Sequence, residues 1–162
     1  MALYPVSGCK IFIGEDPIDE KSDDFVAADF SAVVWTEINK WTQMGPFGDT
    51  AQLITTDLIS EGRTKKQKGT RNAGSMQNVF AVDNLDEGQI ALLAAEKTFW
   101  NYPIKVELND KPDPAGANSL RYFIALIMQA QDAGGGANTI QTLNSMFEIN
   151  SNVVHVEATA GP

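Results

Sequence analysis

A thiol, an imidazole and a run of cations are the groups in this 162-residue chain with the most chemical potential. Cys9 could serve as a nucleophile and His155 as a base or metal ligand, yet each is the sole residue of its type. A nucleophile needs a base beside it, and a metal needs three or four ligands. His155 has no cysteine or carboxylate at a ligand spacing, so it reads as a strand-surface histidine, and Cys9 as a small buried or half-buried strand residue. A lone cysteine also rules out an internal disulfide and fits a reducing compartment at synthesis. The chain has no Ser–His–Asp grouping and no Walker or Rossmann glycine fingerprint. The glycines of "DAGGGAN" (132–138) lack the lysine and following helix that a phosphate cradle requires. No enzyme and no cofactor is expected.

Two charged segments remain. In "EGRTKKQKGTRNAGSM" (61–76), Arg63, Lys65, Lys66, Lys68 and Arg71 fall within nine positions of a chain with 21 acids and 12 bases. Such a cluster could grip phosphate, meet an acidic partner, or be a solvated loop. A net charge of −9 argues against a surface that holds nucleic acid as a whole. The segment also lacks the interleaved aromatics of a single-strand binding patch. The second segment, Glu15 to Asp29, carries seven acids against one base and reads as an exposed, extended loop or arm. Its Asp19, Glu20, Asp23 and Asp24 do not follow the spacing and glycine of a calcium loop, so no metal is expected there.

The elements that position these residues are mostly strands. "CKIFIG" (9–14), "FSAVVWTEINKWTQMG" (30–45), "TAQLITTDLI" (50–59) and "SMQNVFAV" (75–82) read as strands, as do segments 102–110, 119–131, 138–150 and 152–158. Leu120, Tyr122, Ile124, Leu126 and Met128 against Phe123, Ala125 and Ile127 make one strand apolar on both faces, hence central and covered twice. Strands 50–59 and 75–82 flank the basic segment in the pattern of a long hairpin or looped-out crossing around Gly62–Ser75. One helix is expected over about Asn84–Thr98, with Asn84 as its cap and Glu87 completing a capping box. Its apolar residues form two stripes, Leu85, Leu92 and Phe99, and Ile90, Leu93 and Ala94 beside Lys97. Core packing explains one stripe, and a second contact, such as a neighbouring subunit, would explain two. About seven strands without a βαβ rhythm predict a mainly β fold, an antiparallel sandwich or barrel with one flanking helix, in a single domain of residues 1–162. No stretch approaches the ~20 apolar residues of a membrane span, and "MALYPVSGCKIFIG" has neither the basic start nor the apolar run of a secretory signal.

The segments "MALYPVSGCKIFIG", "GDTAQLITTDLISEGRTKKQKGTRNAGSMQNVF", "DEGQIALLAAEK" and "GGGANTIQTLNSMFEINSNVVHV", taken in order, resemble the major tail tube protein of long, non-contractile-tailed bacteriophages or of a phage-like gene transfer particle. That resemblance implies a β-sandwich subunit that forms hexameric rings, stacked into a tube around a tape-measure protein. It implies terminator and baseplate or tail-tip partners, double-stranded DNA as passing cargo without specific binding, and a place in the virion tail after assembly in the host cytoplasm. Under it, Arg63, Lys65, Lys66, Lys68 and Arg71 belong to a segment reaching an adjacent subunit, with Asp19, Glu20, Asp23 and Asp24 as the acidic counter-surface. Two alternatives stand beside it: a tube protein of a type VI secretion or contractile-tail machine, and a small β-barrel that contacts nucleic acid through Arg63–Arg71.

Overall fold

A computed structural model describes residues 2–162. Among them the chain forms β1 (Lys10–Gly14), β2 (Trp35–Ile38), β3 (Trp41–Gln43), β4 (Thr50–Asp57), β5 (Thr64–Asn72), β6 (Ser75–Ala81), α1 (Glu87–Glu96), β7 (Tyr102–Glu107), β8 (Leu120–Ala133), β9 (Thr142–Ile149) and β10 (Val154–Val156). The pairings are antiparallel. The fold is mainly β with one helix, as the sequence predicts.

Eight strands make one sheet in the order β2-β1-β7-β8-β9-β6-β3, with β10 paired to β8 beside this path. Its two ends, β2 and β3, are separated by only Asn39 and Lys40 in the chain. The sheet therefore turns back on itself through that corner and encloses a core. Lys40 takes the left-handed conformation there, at φ 61°, which costs a residue bearing a Cβ about 1 kcal/mol or more. The corner is why the expected single strand 30–45 is broken: a 3-10 turn at Ala27–Phe30, then β2, then β3.

Ile11 and Ile13 of β1, Ile104 and Val106 of β7, and Phe80 and Phe147 point into the main core and are at most 1% exposed. Period-two alternation puts these residues on one face. On β8, Phe123, Ala125 and Ile127 join this core, while Ile124 turns the other way into a second cluster with Phe25, Phe30 and Val154. Phe30 and Tyr122 stack there with ring centroids 5.1 Å apart. The expectation of a strand covered twice is thus met as far as Ile127. A bulge between Ile127 and Gln129 then shifts the register, leaving Met128 exposed.

The helix is shorter than Asn84–Thr98, and Asp86 rather than Asn84 caps it, its carboxylate accepting from the Gln89 N–H at 3.0 Å. Asn84 instead lies in a turn closed by the Asp86 N–H on the Asp83 carbonyl. Gly88, Leu92 and Ala95 face the core. Gly88 has no room for a side chain, since a Cβ would lie 2.2 Å from the Glu37 carbonyl oxygen of β2. Leu85 and Phe99 fall outside the helix, where a 3.6-residue period has no meaning, and both are exposed. The stripe Leu85, Leu92 and Phe99 therefore does not exist as a surface. The second stripe does, with Ile90 and Leu93 facing solvent.

Candidate assembly interface

The basic segment is itself a strand of a hairpin, the hairpin alternative expected around Gly62–Ser75, although it pairs with β4 and not across to strand 75–82. β4 pairs with β5, and β6 belongs to the large sheet beside β9 and β3. The hairpin thus runs from Thr50 to Asn72, beginning earlier than Gly62, and its two strands form a sheet of their own. Every residue of β4 is exposed, and β5 is exposed apart from a half-buried Gly69. Hydrophobic alternation was absent because neither face of this ribbon is buried.

Local bonds shape the ribbon. At its foot, Arg71 pairs with Asp49 at 3.0 Å, and the Thr50 hydroxyl donates to the Asn72 carbonyl. At its far end, the Thr64 hydroxyl donates to Asp57 across the strands and Lys65 pairs with Glu61 at 2.7 Å. Gly69 lies under Ile54, whose Cδ1 would be 3.1 Å from an added Cβ. Cross-strand register places Lys66 opposite Thr55 and Lys68 opposite Leu53, so these two cations share one face with Leu53. Lys65 and Ile54 occupy the other. Of the five predicted cations, Arg71 and Lys65 are paired within the chain, while Arg63, Lys66 and Lys68 form no ion pair among the described residues.

The acidic arm is exposed, as expected, but it is tied down. The Ile18 N–H donates to the Asn101 carbonyl at 3.0 Å. Glu20 accepts from the side-chain amides of Asn101 and Asn150. The Phe25 backbone exchanges two hydrogen bonds with the Asn152 amide, at 2.7 and 3.0 Å, and the Phe25 ring fills the second cluster. Lys21 pairs with Asp29 at 2.7 Å. That ammonium, together with the Val26 N–H, holds the Asp29 carboxyl below its ordinary value. Asp19, Asp23 and Asp24 stay exposed and form no ion pair among the described residues.

The two predicted sets meet only at the ribbon's foot. Asp24, Asp49, Arg71 and Asn150 line one open hollow of about 300 Å³. Lys66 lies five residues beyond Arg71 and six beyond Asn72, about 17–20 Å at ~3.3 Å per residue. The described residues hold no cluster of carboxylates, histidines and cysteines able to seat a metal. Cys9 is half-buried, as expected, but lies just before β1 and not in it, and His155 is exposed on β10, the position expected of it. No helix among the described residues is long and apolar enough to cross a membrane.

No family model matches the sequence, and no curated protein matches it either. Solved structures do match over nearly the whole chain. One is a chain of the sheath/tube terminator of an extracellular contractile injection system, PVC, in its extended state, with TM-score 0.67, 12% identity, and 96% of this chain and 98% of that one covered. A chain of the anti-feeding prophage baseplate gives 0.62 at 12% identity, covering 97% and 98%. The SPP1 tail tube gives 0.61 at 12% identity, covering 94% and 81%. This chain has the fold of the SPP1 tail tube and of the matching chains in these injection assemblies.

Proposed function

We propose that this chain is a structural tube subunit whose copies close into hexameric rings and stack into a phage tail tube. The observation that carries the proposal is the β4–β5 ribbon. A lone two-stranded hairpin is at best marginally stable in water, yet this one offers Leu53, Ile54 and Ile59 to solvent beside Arg63, Lys66 and Lys68, which form no ion pair among the described residues. A surface of that kind is built to be covered. Residues 50–72 carry five bases against two acids, and the remainder of the chain carries seven against nineteen. Each ribbon is therefore drawn to the body of another copy. The tail-tube fold supports the same reading. The tube would surround a tape-measure protein, be bounded by terminator and baseplate or tip proteins, and conduct DNA. An acidic body that repels phosphate suits passage without binding. The 162 residues act as one tube domain in the assembled virion tail, and assembly takes place in the host cytoplasm.

A second reading is favoured by the 0.67 match to a terminator assembly of a contractile system: a tube or terminator subunit of such an injection machine. Negative-stain microscopy of the concentrated protein tests both. Long tubes support a tube subunit of either machine, single rings that do not stack support a terminator, and a persistent monomer overturns both readings. A monomer that shifts duplex DNA in a salt-dependent manner would instead support the nucleic-acid module.

A further inference from the structure

Resting on the self-assembly reading, we infer that the ribbon of one copy docks on a composite surface of the next, made of Phe99, Trp100 and the arm carboxylates Asp16 and Asp19. Phe99 is 95% exposed and Trp100 60%, the two most exposed aromatic side chains among the described residues. Both lie between α1 and β7, where no packing within the chain accounts for their exposure. Trp100 adjoins Asn101, whose carbonyl and amide hold the arm at Ile18 and Glu20. That tie holds Ile18 to Glu20 against the residue that follows Trp100, with Asp19 between the two tied positions and Asp16 two residues before Ile18. Both carboxylates are exposed and unpaired among the described residues.

The complementarity is of two kinds. The ribbon face that carries Lys66 and Lys68 also carries Leu53, so its counter-surface must be apolar and anionic together. Aromatic residues are common anchors at interface centres, and a rim of opposite charge sets register and encounter rate. An acidic hollow between Glu37, Asp83, Asp86 and Glu87 fits less well. Asp83 is already paired with Lys40, and Asp86 is spent on Asn39 and the Gln89 N–H. A copy cannot satisfy its own ribbon either, because Lys66 projects about 20 Å from the foot beside which its own arm passes.

Three proteins test this: the Phe99→Ser/Trp100→Ser variant, the Lys66→Glu/Lys68→Glu variant, and the latter combined with Asp16→Lys/Asp19→Lys. Polymer is measured by sedimentation and microscopy, and fold by circular dichroism and thermal melting. We expect the first two to melt like wild type while the critical concentration rises about ten-fold or more, the scale of losing one interface anchor. The combined charge swap is expected to restore polymer. Wild-type assembly by the aromatic variant, or failure of the swap to rescue, overturns this surface and leaves self-assembly standing. If wild-type protein forms no polymer at any concentration, the self-assembly reading itself fails, and this surface with it.

Discussion

Gln89 joins three stretches of chain with one buried amide. Its Nε2 donates to the Asn39 carbonyl at 3.2 Å and the Ala81 carbonyl at 2.8 Å, and its Oε1 accepts from the Asp83 N–H. Asp86 adds the backbone and side-chain N–H groups of Asn39. Together they clamp the Asn39–Lys40 corner that lets the sheet close. Gln89→Leu keeps the volume but strips partners from buried groups, each worth about 1–3 kcal/mol. We expect a loss of about 2 kcal/mol or more in urea unfolding of the dispersed subunit. Gly88→Ala should also destabilise, by about 1–3 kcal/mol through overpacking against the Glu37 carbonyl. Acid acts at this scale too. The Leu85 N–H and Lys40 lower Asp83. At Asp110, burial pushes the carboxyl up, but the Ser119 hydroxyl and N–H, with Arg121, outweigh it and leave the group below its ordinary value. A carboxyl lowered by folding binds its proton at higher pH when unfolded, so its stabilisation is full above about pH 4 and is lost as the pH falls further. Thermal melts between pH 6 and 3 should show constant stability at first and then a decline.

The ribbon and the arm show how much of each element the sequence could reveal. Strands with a buried face were legible: β9 alternates with Leu143, Phe147 and Ile149 inward, and β8 was readable as central from Phe123, Ile124 and Ala125. β5 was not, because "TKKQKGTRN" buries nothing and its strand state rests on a backbone ladder with β4. The cap at Asp86 was missed by two residues since Asn84 and Asp86 are both good caps, and contact with Asn39, 47 positions away, distinguishes them. Of the candidate site, the cations and acids were visible by composition. Trp100 was not, lying outside any periodic segment. Replacing Ala51–Arg71 with a two-residue turn should leave the melting temperature of the body nearly unchanged, because the ribbon lends it no buried surface. The same deletion should abolish polymer in sedimentation.

Across the whole molecule, charge is divided unevenly, with a basic ribbon on an acidic body. Contacts between exposed charges weaken once the Debye length falls to ~3 Å near 1 M salt, so tubes should have a higher critical concentration at 1 M than at 0.1 M salt. The Lys66→Glu/Lys68→Glu protein with its rescuing partner changes keeps opposite charges across the contact, so its polymer is expected to show the same direction of salt dependence as wild type. The solvent-exposed ribbon also bears on how a tube would begin. A free copy gains little from ordering those strands, and two copies meeting by chance cover only one ribbon between them while paying for both. The end of an existing ring stack would offer every incoming copy a ready-made seat. Growth should then be nucleated: light scattering is expected to show a lag, removed by adding sheared tubes as seeds, and supersaturated subunits would wait for a template before polymerising.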